Sequence, residues 1–144
     1  MIINKSNKTA VDALIKVIET TEHESTRRWA AESLGKIGQG NQTAINTLVK
    51  LLENTKSEDT RRWAAESLWE IDPGNETVIA ALIKVIETTE YEYTRRCAVK
   101  SLRKIDPGNE TAIDALVKVL ENTKSESTRR WAAESLSNIS LLTD

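Results

Sequence analysis

Phenylalanine is absent from this 144-residue chain, and aromatic residues reach only 4%, as four Trp and two Tyr. The core is therefore expected to be aliphatic, built from Leu, Ile, Val and Ala. A single cysteine, Cys97, excludes an internal disulfide and a cysteine pair for a metal, which suits a reducing, cytoplasmic setting. The one histidine, His23, falls in a short turn and is read as a solvated loop residue. With no Gly-rich phosphate loop, no Ser/His/Asp set and no metal-ligand spacing, the reading is a protein that is not an enzyme and carries no cofactor or metal. Charge of one sign is lacking too: 20 basic residues against 22 acidic leave −2. No global field draws nucleic acid or anionic lipid, so nucleic acid is disfavoured as a partner. No apolar run approaches a membrane span, and "MIINKSNKTA" lacks the apolar stretch of a signal peptide. A soluble protein is expected.

What the chain has in abundance is itself. "TRRWAAESL" stands at Thr26–Leu34, Thr60–Leu68 and Thr128–Leu136, and a variant, "TRRCAVKSL", at Thr94–Leu102. Arg27, Arg61, Arg95 and Arg129 recur every 34 residues, as do Asn7, Asn41, Asn75 and Asn109. Four copies follow, at about 7–40, 41–74, 75–108 and 109–142, within one expected domain, 1–144.

Each copy carries two helical patterns. In "NETVIAALIKVIE", Ile79, Leu82, Ile83 and Ile86 fall at i, i+3, i+4 and i+7, an amphipathic first helix. The Asn before each such stripe is a good N-cap, since its side-chain oxygen can accept an unpaired first-turn N–H. The second pattern, "SEDTRRWAAESLWEI", puts Thr60, Ala64, Leu68 and Ile71 on one face, with Ser57 or Asp59 as cap. "GQGN" at Gly38–Asn41 and "DPGN" at Asp72–Asn75 and Asp106–Asn109 stop the second helix, because Pro cannot continue a helix and Gly tolerates the turn. Short linkers such as "NTKSE" at Asn54–Glu58 make the two helices antiparallel neighbours. One hairpin cannot bury its stripe alone, so the hairpins must stack.

The small-residue-rich second helices, Thr26-Arg27-Arg28 through Ala30, Ala31, Leu34, Gly35 and Ile37 and their equivalents, resemble HEAT-like repeats. The short variety of phycobilisome-lyase-type proteins and cyanobacterial repeat arrays is the nearest match in pattern. No first helix carries the Pro bend of longer HEAT repeats. The 34-residue period is also the tetratricopeptide length, but the W-x2-L-G-x2-Y spacing is missing: after Trp29 the Leu comes at Leu34. The resemblance implies an all-α, right-handed α-solenoid of four helical hairpins, first helices convex and second helices concave.

At 100° per residue, with Ala64 set toward the core, Arg61 and Ala65 lie on one flank and Trp63 and Ser67 on the other. Arg62, Glu66 and Trp69 point away. Trp29, Trp63 and Trp131 are thus expected to pack between adjacent copies, the first Arg of the neighbour lying over the indole; an exposed Trp ladder for binding is the alternative. In the odd copy Cys97 replaces Trp, and Tyr93, one turn earlier, is expected to cover the space the indole vacates. Glu32, Glu66 and Glu134 are expected to pair with Arg28, Arg62 and Arg130 at i−4. The outward strip turns basic at Lys100 and Arg103, so Arg62, Glu66, Trp69, Arg96, Lys100 and Arg103 form the candidate partner surface. Scaffolding of a protein or peptide on the concave face is the favoured function. A bilin-lyase or chaperone-like role follows from the resemblance alone, and a nucleic-acid-binding HEAT-like protein is a third reading. Ile3 precedes Asn7 as Ile71 precedes Asn75. The chain therefore reads as the tail of a longer array or as self-associating through its first copy.

Overall fold

The computed structural model describes residues 5–72, 74–104 and 109–143, those at 5, 6 and 139–143 by their backbone alone. These residues form eight α-helices and no strand. The helices are α1 (Lys5–Thr20), α2 (Glu24–Ile37), α3 (Gln42–Asn54), α4 (Glu58–Ile71), α5 (Glu76–Thr88), α6 (Glu92–Arg103), α7 (Glu110–Asn122) and α8 (Glu126–Thr143). Each odd–even pair is one of the expected hairpins. The expected single domain is described as two compact units of two hairpins each, Met1–Asp72 and Pro73–Asp144.

The capping signals act locally as the sequence implied. Asn41 accepts from the Ala44 N–H at 3.0 Å, Asn109 from Ala112 at 3.0 Å, and Asn75 from both Thr77 and Val78. Ser57 and Ser125 do the same for Thr60 and Thr128, each at 3.2 Å. Each satisfies a first-turn donor that the helix itself leaves unpaired. Asn7 breaks the series. It lies inside α1, which begins at Lys5, and its amide donates instead to the Ile37 carbonyl at the end of α2, at 3.4 Å. At the second-helix exits Gly40 and Gly74 take φ of +74° and +93°, the left-handed region that only glycine occupies without strain. Ile3, Pro73 and residues 105–108 lie outside the described residues.

In the first unit the two stripes meet around Val11, Ile15, Ile18, Leu34, Ile45, Leu48, Leu52, Ala64 and Leu68, all buried. Burying each large aliphatic side chain contributes about 1.5–3 kcal/mol before chain entropy is subtracted. The second helices α2 and α4 pack along their length, whereas α1 and α3 touch only lightly, so this unit curves with its second helices inside. The second unit closes over Ile79, Leu82, Ile86, Ala98, Leu102, Ala112, Leu116 and Ala132. Of the stripe expected on α5, Ile83 is only half-buried, and Val78, Ala81 and Val85 are buried in addition.

Candidate interaction surfaces

The first Arg of each repeat does something the sequence did not suggest. Arg61 donates from Nε to the Leu52 carbonyl at 3.3 Å, from Nη2 to the Thr55 carbonyl, and from Nη1 to the Glu58 carboxylate. Arg27 repeats the pattern on Ile18, Thr21 and Glu24, and Arg95 on Ile86, Thr89 and Glu92. Arg129 does so on Thr123 at 2.8 Å and Glu126 at 2.6 Å. The final carbonyls of a helix have no partner within it, and a planar guanidinium can serve several at once. This Arg therefore caps the first helix from the second and fixes the hairpin's bend. The Thr beside it closes the same turn, its hydroxyl accepting the N–H two residues on, as Thr55 does for Ser57 at 3.1 Å.

The stacking partner of the indole is consequently the second Arg, not the first. Arg96 of α6 lies with its Cζ 5.5 Å from the centroid of the Trp131 ring on α8. Trp131 thus faces the repeat before it. Trp131 and Trp63 are half-buried, but Trp29, in the first repeat, is 63% exposed and does not serve inter-repeat packing in its unit. Tyr93 is 60% exposed, so its ring does not act as the expected filler beside the half-buried Cys97.

The residues expected to form one partner strip divide between the units. On α4, Arg62 is half-buried and pairs with Asp59, Glu66 is exposed, and Trp69 is half-buried with its indole nitrogen out of solvent, so it is not the exposed ring expected. On α6, Arg96, Lys100 and Arg103 are exposed. With the Asn138 amide turned so that its oxygen faces Arg103, it accepts from Nη2 at 2.6 Å and from Nε at 3.3 Å. Glu32 pairs with Lys36 at 3.3 Å rather than with Arg28.

A second surface lies at the loops between first and second helices, where each unit has a groove. In the first unit a groove of about 360 Å³ is lined by Glu24 and Arg27 of one hairpin and by Leu51, Asn54, Thr55 and Lys56 of the next. In the second, a groove of about 560 Å³ is lined by Arg95 together with Val119, Asn122, Thr123 and Lys124, and widened by Ile86, Glu87, Lys118 and Ser125. Arg27, Leu51, Asn54, Thr55 and Lys56 correspond to Arg95, Val119, Asn122, Thr123 and Lys124, 68 residues on. The letters carry this double period: "NTKSE" recurs at Asn54–Glu58 and Asn122–Glu126, alternating with "TTEHE" at Thr20–Glu24 and "TTEYE" at Thr88–Glu92. A period of 34 averages the alternation away. Each groove brings aliphatic side chains together with amide and hydroxyl groups and with both ammonium and carboxylate groups.

Helical hairpins of fixed length, each clamped by its own Arg and stacked flank to flank, define an α-helical repeat protein. The profile of the family described as HEAT repeats matches residues 1–69 and, overlapping them, 45–137. The chain belongs to the HEAT repeat family. None of the curated proteins matches it. Among the described residues no helix is long and apolar enough to cross a membrane, and no group of three or more His, Cys, Asp or Glu is placed to hold a metal.

Proposed function

We propose that this chain is a non-catalytic, cytoplasmic scaffold that binds a protein or peptide partner through the loop-edge groove of each unit. The observation that carries the reading is the recurrence of one groove, with the same Arg, Asn, Thr and Lys positions, in both units. HEAT repeats are commonly used for protein interaction, and stacked repeats present extended surface at little cost in core. Lys56, Lys118 and Lys124 outnumber Glu24 and Glu87 along the two grooves, which favours a segment with carboxylate side chains. A second copy of the chain is a further partner in this reading, met at the open flank of the first repeat.

The test is capture from the native host with the wild-type chain, with a variant carrying Lys56→Glu and Lys124→Glu, and with one carrying Lys100→Glu and Arg103→Glu. Loss of the captured protein in the first variant alone is the expected result. Equal recovery by the first variant and loss in the second would move the site to the outer strip of α6. Unchanged recovery by both would overturn the charged-surface reading.

A further inference from the structure

Within each unit, stacking buries a matched pair of flanks. The flank turned toward the preceding repeat carries the Thr, Trp and Ser of "TRRWAAES"; the opposite flank carries the second Arg and the second small residue. In the second unit Thr128, at 0%, and Ser135, at 2%, are buried where α8 meets α6, with Arg96 over Trp131, and Val99 is buried on the opposite flank of α6. In the first unit the Thr60 hydroxyl donates across the repeats to Glu24 Oε2 at 2.6 Å, and Ala31 is fully buried. Two flanks lack such cover. On α2, Thr26 and Trp29 are exposed and Ser33 only half-buried. On α8, Arg130, Ala133 and Ser137 are exposed, and the carboxylate of Glu126, which holds Arg129 as Glu24 holds Arg27, is 79% exposed.

We propose that these two flanks are each other's partner, in different copies of the chain: the first repeat of one copy stacks on the last repeat of another. This deepens the self-association just proposed by naming the opposite surface and the geometry. Arg130 takes the place of Arg96 over the Trp29 indole, Ala133 gives the room that Val99 gives on α6, and Glu126 meets the Thr26 hydroxyl as Glu24 meets Thr60. Each contact has a template in one unit or the other, the Arg–Trp stack and the Val99 flank in the second and the Glu–Thr bond in the first, so the occupant is a second copy and not merely something apolar. Trp and Arg are among the residues most enriched at interface hot spots. The contact joins unlike surfaces, so it does not close on itself, and association continues beyond a dimer as concentration rises.

The experiment is sedimentation velocity on the full chain over a wide range of concentration, with Trp29→Glu, Ala133→Glu and their equimolar mixture. Both residues are exposed, and unchanged helical ellipticity checks that each variant is folded. The wild-type mass is expected to climb past twice the 16.1 kDa monomer. Each variant alone stays monomeric, because one flank is blocked. The mixture forms a dimer and nothing larger, since each variant supplies the flank the other lacks. A wild-type chain that stays monomeric overturns the proposal. Association of Ala133→Glu like wild type overturns the head-to-tail geometry while leaving self-association through the first repeat. Neither outcome bears on the grooves, whose residues are untouched.

Discussion

Gly35 of α2 lies directly against Ser67 of α4: a Cβ on Gly35 would come within 2.9 Å of the Ser67 Cα and Cβ and 3.1 Å of its carbonyl oxygen. Most of those atoms are backbone or fixed to it, so the helices must separate to admit a methyl group. The equivalent of Gly35 in the second unit is Arg103, and there α6 and α8 touch over a shorter length. One residue position thus helps set the spacing of the second helices in each unit.

Gly35→Ala therefore tests whether contact or propensity dominates. On an exposed helix the change stabilises by about 1 kcal/mol. Overpacking at a close helix crossing costs about 1–3 kcal/mol. We expect a net loss, read as a lower urea midpoint at unchanged slope. Ser137→Ala, at the exposed equivalent on α8, should stay within about 0.5 kcal/mol of wild type.

The Arg clamp predicts that two adjacent arginines behave differently. Arg61→Lys keeps the charge but cannot reproduce a fork that reaches Leu52, Thr55 and Glu58 together, and should cost about 1–3 kcal/mol. Arg62→Lys, in an exposed ion pair with Asp59 at i−3, should cost well under about 1 kcal/mol. Chemical denaturation of the two variants side by side is the measurement. Equal losses would show that charge, not carbonyl capping, is what Arg61 supplies.

Asn75→Ala and Asn7→Ala should likewise diverge. The first removes an N-cap that serves two backbone donors and should cost about 1 kcal/mol. The second removes a long, exposed bond to Ile37 from within a helix, where Ala is the better helix former. Its midpoint should stay level or rise.

These contrasts mark what could be read from the letters. The stripes of α3, α5 and α7, their Asn caps and the core face of α4 follow from period and local hydrogen bonding, and Ala64, Leu68 and Ile79 are buried accordingly. Asn7 carries the same letter without the same environment, because α1 runs back to Lys5. The acceptors of Arg61 are main-chain carbonyls in the preceding helix and turn, which no pattern of side chains announces. The exposure of Trp29 depends on whether a repeat covers it, a tertiary fact that an identical nine-residue motif cannot encode. The grooves needed only a longer window, since the alternation of Lys56 and Lys124 with Glu22 and Glu90 is visible in the sequence.

Thr60 and Thr128 give the sharpest contrast, because one repeated residue meets two environments. Both are buried, at 1% and 0%. The Thr60 hydroxyl donates to Glu24, whereas the Thr128 hydroxyl has no partner among the described residues. The would-be acceptor, Glu92 Oε2, instead receives the Ser125 hydroxyl at 3.0 Å. A buried hydroxyl without a bond destabilises by about 1–3 kcal/mol, and valine has nearly the same shape without the oxygen. Thr128→Val should therefore raise the stability of the second unit, by up to about that amount. Thr60→Val removes a charge-assisted bond and should lower the first unit's, by about 1 kcal/mol, the loss limited because the half-exposed Glu24 can turn to water. Opposite signs at equivalent positions are the prediction. Differential scanning calorimetry of the two variants reads it directly, and shifts of the same sign would mean that the Thr128 hydroxyl finds a partner in solution.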